Sequence, residues 1–249
     1  MKIQSAKIII TGAGSGFGKA MALDFSQKGA KIFAVDINID SLKVLREDNS
    51  DIEIFKCDVS NNEEVNKIVQ EIFNKESGIN VLINNAGIMK SSPLINLFNS
   101  NDRKHSFVLF DKVIKTNLYS VFLMTSSVVD NMIRNRNKGV IINMSSIASK
   151  GNIGQTAYSA SKASVNAMSK VWSKELGSYG IRSISISPGF IDTAGTHSAI
   201  DEKALKNWIN KTPIKRTGQI SEVVNSVLFS IENDFFNGET LKINGGLKI

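Results

Sequence analysis

Short runs dense in Ile and Val recur along the chain, separated by stretches in which apolar residues return every three or four positions. The runs predict strands over Lys7 to Thr11, Lys31 to Asp36, Ile52 to Lys56, Val81 to Asn84, Val140 to Asn143, Arg182 to Ser187 and Glu239 to Ile243. The periodic stretches predict helices over Gly16 to Lys28, Ser41 to Glu47, Glu63 to Asn74, Phe107 to Asn135, Tyr158 to Leu176 and Ile220 to Ile231. Strands apolar on both sides, alternating with helices, call for a mainly parallel sheet covered on both faces. The expected fold is α/β, a doubly wound seven-stranded sheet.

Two polar segments interrupt the alternation. Lys90 to Ser106 has Pro93 near its start, and Ile191 to Thr217 carries a short helical pattern around Ala204 to Ile209. No repeat, linker or low-complexity tract divides the chain, so one domain is expected over 1–249, with about 191–217 as a substrate lid. Ligands of an open parallel sheet bind beyond the carboxyl ends of its strands, which directs the search to the loops that follow strands.

Composition narrows the setting. The single cysteine, Cys57, sits in an apolar run and reads as a small buried residue. The start, MKIQSAKIII, passes directly into Thr11-Gly12 and reads as a first strand rather than a leader; no apolar run has membrane-spanning length, and a cytoplasmic protein is expected. The formal charge of +7 is scattered, and its densest group, Arg134, Arg136 and Lys138, has no interleaved aromatics. That pattern argues against nucleic acid, while a net positive charge attracts anionic small molecules.

The first strand leads into Thr11-Gly12-Ala13-Gly14-Ser15-Gly16-Phe17-Gly18. Glycines between a strand and a helix permit a tight turn and a close backbone approach to phosphate. The spacing TGxxxGxG departs both from GxGxxG and from the triphosphate loop. Asp36 ends the second strand, where a carboxylate can accept from a ribose 2′-hydroxyl and repel a 2′-phosphate; this favours NAD(H) over NADP(H). Asp58-Val59 follows the third strand, with two readings: contact with an adenine, or a turn made by Asp58. Asn84-Asn85-Ala86-Gly87 ends the fourth strand with residues small enough for a ligand to lie against the backbone.

Tyr158 and Lys162 are four apart on a predicted helix and share a face. An ammonium near a phenol favours phenolate, which would bring a pKa near 10 towards neutrality. Asn143-Met144-Ser145-Ser146 leaves the fifth strand at the same sheet edge, and a serine there can donate to an oxygen that gains charge. The chain has no Gly-x-Ser-x-Gly elbow, and neither His105 nor His197 has an acid partner evident in sequence, so a hydrolase triad is disfavoured. Two histidines and one cysteine, far apart, give no metal-ligand spacing, and no metal is expected.

Taken in order, TGAGSGFG, Asp36, Asp58-Val59, NNAG, Asn117 in KTNLYS, NMSS, YSASK and SPGFIDT resemble the classical short-chain dehydrogenase/reductase family along essentially the whole chain. The resemblance implies a Rossmann-like fold, and a hydride exchanged between nicotinamide and a secondary alcohol or ketone. It makes Tyr158 the acid/base, Ser146 the group that positions the substrate oxygen, and Lys162 the partner of Tyr158 and of the nicotinamide ribose. Asn117 would anchor a water leading from Lys162 to solvent. The implied cofactor contacts are Gly12, Ser15, Gly16, Phe17, Gly18, Asp36, Ile37, Asp58, Val59, Asn85, Ala86, Gly87, Tyr158, Lys162, Pro188, Gly189, Ile191 and Thr193. Ser145, thirteen residues before Tyr158, is the alternative to Ser146.

Within the family, SIASKGNIGQTAY is similar to 3-oxoacyl-carrier-protein reductases, and IENDFFNGETLKINGG to type 2 3-hydroxyacyl-CoA dehydrogenases. Both imply a 3-hydroxyacyl/3-oxoacyl thioester substrate. The alternatives are a sugar, polyol, small-diketone or steroid alcohol, or a non-catalytic Rossmann protein that senses NAD(H). A homotetramer is also implied, for which Val121-Phe122-Leu123-Met124 and Leu247 to Ile249 are candidate contacts.

Overall fold

The computed structural model describes residues 1–98, 103–199 and 201–248. β1 (Lys7–Thr11) leads into α1 (Gly16–Gln27), β2 (Lys31–Asp36) into α2 (Ile39–Asp48), and β3 (Glu53–Lys56) into α3 (Asn62–Lys75). β4 (Val81–Asn84) is followed by the first excursion, then α4 (Phe107–Ile114), a π turn (Lys115–Tyr119) and α5 (Ser120–Arg134). After β5 (Gly139–Met144) come a 3-10 turn (Ile147–Lys150), α6 (Thr156–Glu175) and β6 (Ile181–Pro188). The second excursion carries α7 (Ala194–Ala199) and α8 (Glu202–Lys211), and the chain finishes with α9 (Ile220–Glu232) and β7 (Thr240–Ile243).

The seven strands form one sheet in the order β3-β2-β1-β4-β5-β6-β7, with every neighbouring pair parallel. Its two faces are visible in the two-residue period of the strands. Ile8 and Ile10, Val81 and Ile83, and Val140 and Ile142 turn to the side covered by Met21, Phe25, Leu42 and Val227. Ile9, Leu82 and Ile141 turn to the side covered by Val65, Ile72, Met124 and Val128. Each such buried side chain contributes about 1.5–3 kcal/mol, which is why strands flanked by helices on both faces read as unbroken apolar runs. Asn38 and Asn61 start α2 and α3 by accepting backbone N–H bonds from Asp40 and Ser41 and from Glu63 and Glu64.

The strand order reverses between β1 and β4. In an open parallel sheet a ligand crevice forms at the carboxyl edge at such a reversal. All seven expected strands are present, with no end shifted by more than one residue. The helix expected over Phe107 to Asn135 is broken by the π turn, in which Ser120 N–H reaches back to Lys115 C=O. One extra residue per turn is invisible to an apolar period, because α4 and α5 keep their own phase on either side. α7 is also unforeseen. Residues 99–102 of the first excursion, 200 of the second and Ile249 of the C-terminal end lie outside the described residues. Among the described residues no helix is long and apolar enough to cross a membrane.

Candidate active site

A cleft of about 1750 Å³ runs along the carboxyl edge of the sheet, from Asp36 and Asp58 at one end to Ser146 and Tyr158 at the other. Its floor is the turn after β1. Gly12 has φ of 64°, and a Cβ on it would stand 2.8 Å from the Ala86 Cα, so the close approach of the β1 and β4 loops requires glycine. Gly16 has φ of 53° and open space where its Cβ would be. Ser15, exposed before α1, makes no side-chain cap, and the first turn has no acid, leaving this helix start suited to phosphate. Ser15, Gly16 and Phe17 line the cleft with Gly12. Gly18 is not among the lining residues: it is buried, and a Cβ on it would fall 2.1 Å from the Gly12 carbonyl oxygen, so its smallness sets the packing of α1 on the loop.

Asp36 is held by two backbone donors, Gly14 N–H to Oδ2 and Asn38 N–H to Oδ1, each at 2.9 Å. Ile37 beside it is exposed, and Lys19, which also lines the cleft, is paired with Asp48 at 2.7 Å. Asp58 lies just beyond β3 and makes a turn: its Oδ1 accepts from Ser60 N–H and Oγ–H at 2.9 and 2.7 Å, yet it still lines the cleft with Val59. Cys57 is buried at the same end, and burial, assisted by the negative charges of Glu64 and Asp58, pushes its thiol up to about 12.

Of the four residues ending β4, Asn84 serves a different purpose from the rest. Its Nδ2 donates to Asn143 Oδ1 at 2.8 Å and to Thr125 Oγ1 at 2.9 Å, and Asn143 in turn donates to Ser169 Oγ at 2.8 Å. These buried polar groups brace β4, β5 and α6 beneath the cleft. Asn85 Nδ2 ties down the Thr11 and Gly12 carbonyls at 3.0 Å each, and Thr11 Oγ1 accepts from the Asn85 and Ala86 amides. Asn85, Ala86 and Gly87 line the cleft.

The π turn carries Asn117 inward. It is fully buried, its Oδ1 accepts from Ile88 N–H at 2.8 Å, and its Nδ2 donates to Ile88 C=O at 2.9 Å. The amide is therefore occupied by the backbone after Gly87, and Asn117 does not itself line the cleft. A Cβ on Gly87 would come within 3.2 Å of Asn117 Oδ1 and 3.6 Å of Lys162 Nζ, which places all three groups together.

Ser145 and Ser146 are separated cleanly by their partners. Ser145 is buried and donates to the Lys162 carbonyl at 3.1 Å. Ser146 caps the 3-10 turn through Ala148 N–H, and its hydroxyl lies near enough to the Tyr158 phenol to lower its pKa. Lys162 is buried and donates to the Met144 carbonyl at 2.7 Å, with its Nζ 5.8 Å from the centre of the Tyr158 ring. Desolvation brings the Lys162 ammonium down from 10.5 to about 8. Tyr158 departs from the expected direction: burial raises its phenol above the ordinary value, and the Ser146 hydroxyl draws it only partly back. The i,i+4 spacing brings the ammonium near the ring, but its direct bond goes to the end of β5, so it does not produce the expected lowering.

The second excursion closes the far wall. Pro188 ends β6, Gly189 N–H bonds Ile243 C=O at 2.8 Å, and buried Ile191 pairs with Gly218 where the excursion begins and ends. Thr193 Oγ1 accepts from Thr196 N–H at 3.1 Å and, with Pro188, Gly189 and Ile191, faces the cleft. Trp208 of α8 stacks on Phe190 at 5.2 Å between centroids. His197 does have an acid partner, contrary to expectation, with Nε2 2.7 Å from Asp192 Oδ1; α7 folds the chain back over five residues that look unrelated in sequence. Gln155, Ser91 and Lys90 also line the cleft near Tyr158. Gln155 lies in the stretch between Ser146 and Tyr158, while Lys90 and Ser91 carry no local signal. Among the described residues no group of three or more His, Cys, Asp or Glu side chains is placed to hold a metal.

A glycine turn open to phosphate, an acid at the end of β2 and a tyrosine–serine–lysine cluster share one crevice, and these residues fit a nicotinamide dinucleotide and an oxidoreductase. The family described as Enoyl-(Acyl carrier protein) reductase matches residues 12–248. The chain is 38% identical over 256 residues to the 3-oxoacyl-[acyl-carrier-protein] reductase FabG of Thermotoga maritima, covering 100% of both. It is 33% identical to the FabG of Buchnera aphidicola subsp. Schizaphis graminum, covering 99% of both, and 32% identical to the sorbitol-6-phosphate 2-dehydrogenase of Klebsiella pneumoniae, covering 99% of this chain and 97% of that one. The chain belongs to the classical short-chain dehydrogenase/reductase family. It is an enzyme, an oxidoreductase dependent on NAD(H) or NADP(H).

Proposed function

We propose that the chain interconverts a 3-hydroxyacyl and a 3-oxoacyl thioester with NAD(H), using Tyr158 as the acid/base. The single observation that carries the chemistry is the joining of Ser146 and Tyr158 at one end of the cleft whose other end is Asp36. Gly12, Ser15, Gly16 and Phe17 would hold the pyrophosphate, and Asp36 and Ile37 the adenosine ribose and its base, with Asp58 and Val59 on the adenine. Asn85 to Gly87, Pro188, Gly189, Ile191 and Thr193 would flank the nicotinamide half. When bound, the nicotinamide supplies or takes up the hydride.

In reduction, Tyr158 gives its proton to the substrate oxygen while Ser146 donates a hydrogen bond to the same oxygen. A phenol held above its ordinary pKa by burial stays protonated at neutral pH and is ready as the acid. Lys162 would bind the nicotinamide ribose and replace the proton lost by Tyr158. Because the Asn117 side-chain amide is committed to Ile88, the water proposed for this path would be held by the Asn117 main-chain carbonyl in the π turn.

Asp36 supports NAD(H), since a carboxylate fixed at the end of β2 would repel a 2′-phosphate and the nearby Lys19 is paired with Asp48. The thioester follows the FabG relatives. The Klebsiella relative supports a second reading, a sugar or polyol phosphate. Rates with NADH and NADPH on acetoacetyl-CoA, beside NAD⁺-linked oxidation of a polyol-phosphate panel, test both. Turnover of polyol phosphates without turnover of the thioester rejects the first reading. A homotetramer and a cytoplasmic location complete the proposal; the half-exposed Phe122 on α5 supports a contact between copies.

A further inference from the structure

We infer that Gly14 is a positioning residue for cofactor choice: with no side chain there, its amide holds Asp36 in the one orientation that suits a ribose 2′-hydroxyl. The inference rests on the NAD(H) reading above. An acid at the end of a strand can rotate, and a rotated carboxylate neither accepts from a ribose nor stands against a 2′-phosphate. Orientation, beyond mere presence, therefore decides selectivity.

Asp36 has that orientation set from two directions, by Gly14 N–H at Oδ2 and Asn38 N–H at Oδ1. Both donors sit on anchored backbone. Ala13 N–H bonds the Val35 carbonyl at 3.1 Å, tying the glycine loop to β2, and Asn38 caps α2 through Asp40 and Ser41 N–H. Ser41 then comes back from α2 against Gly14. A Cβ at position 14 would stand 2.8 Å from the Ser41 Cβ, 3.0 Å from Asp36 Oδ2 and 3.2 Å from Asp36 Cγ. The Ser41 Cβ is one bond from the α2 backbone and cannot swing aside, so an alanine pushes the glycine loop off α2 and away from Asp36, and the carboxylate loses the Gly14 amide that fixes its orientation. Gly14 is outside the left-handed region, unlike Gly12 and Gly16, so an alanine there carries no backbone strain and acts through its Cβ alone.

The test is the Gly14→Ala variant of the full chain, with NADH and NADPH dissociation constants measured by calorimetry and folding followed by a melting curve. NADH binding is expected to weaken about tenfold, the loss of one charge-assisted hydrogen bond, while NADPH binding holds or tightens because the carboxylate no longer faces the 2′-phosphate. Adding Ser41→Gly removes the shortest contact and leaves those to Asp36, which guards against a variant that does not fold; its selectivity is also expected to fall. In an Asp36→Ala background, Gly14→Ala should leave the NADH to NADPH ratio unchanged, because the group it acts through is gone.

An unaltered ratio in a folded Gly14→Ala chain overturns the inference, as does equal weakening of both cofactors, which would mark damage to the phosphate loop alone. A parent chain that binds NADPH more tightly than NADH overturns the NAD(H) reading and this inference with it. A parent that prefers NADH beside an unaffected variant overturns only the inference.

Discussion

Lys162 Nζ stands 5.8 Å from the centre of the Tyr158 ring while donating its hydrogen bond to the Met144 carbonyl at 2.7 Å. The two side chains share a face of α6, yet β5 takes the direct bond. Both are desolvated, and desolvation moves them in opposite senses, the lysine down to about 8 and the phenol up. Near neutrality the lysine, at about 8, still carries its proton and the phenol keeps its own, an arrangement from which the phenol is the natural proton donor.

Lys162 gives a pH signature of folding. Its folded value of about 8 lies below its ordinary 10.5, so between these limits the unfolded chain binds more protons and stability rises with pH. Lys162→Met removes that rise. The unfolding free energy of the parent minus that of the variant should increase by on the order of 2 kcal/mol from pH 8 to pH 10, followed by urea denaturation. A difference that stays flat across this window would show the lysine to be hydrated in the folded chain.

Tyr158→Phe keeps the ring and removes the proton. Turnover should drop about 100- to 10,000-fold while NADH still binds, as seen by calorimetry. For the parent, the rate of alcohol oxidation should climb with pH above neutrality, because the raised phenol must lose its proton to act as the base. Oxidation that is flat from pH 7 to pH 10 would reject Tyr158 as that base.

The two serines should separate into different losses. Ser146→Ala is expected to lower kcat about 100- to 1,000-fold, since the proposed donor to the reacting oxygen is lost, with at most about 1 kcal/mol of stability lost through the cap on Ala148 N–H. Ser145→Ala instead loses a buried bond to the Lys162 carbonyl and should cost about 1 kcal/mol of stability with turnover largely kept. Steady-state rates and denaturation of both variants decide between them; the reverse pattern would make Ser145 the substrate contact.

Asn117→Ala removes a fully buried side chain and leaves the N–H and C=O of half-buried Ile88 without their side-chain partner. A loss of about 1–3 kcal/mol in folding stability is expected, together with reduced turnover, because Ile88 follows the Gly87 that borders Lys162. Full stability in the variant would mean that another group or water satisfies Ile88.

The period of the apolar residues was enough for the seven strands, since each of Ile8 to Ile10 must bury a side chain on alternate faces of a sheet covered on both sides. The site was legible where short-range geometry carries it: four residues along a helix put Lys162 beside Tyr158, and glycine spacing after β1 placed the turn. Long-range partners had no such trace. Asn117 reaches Ile88 only through a π turn, and His197 meets Asp192 only once α7 has folded back.

What the sequence by itself determined is therefore the alternation of elements and the edge at which chemistry gathers, because both follow from burial and from local backbone preference. Only the tertiary structure decided that Ser145 turns to the Lys162 carbonyl, that Gly18 packs a helix instead of lining the cleft, that Asn84 is a strut, and that the Tyr158 phenol is raised. Each of these depends on which distant groups share a hydrogen bond or exclude water from it, and such neighbours exist only once the sheet has closed the distance between them.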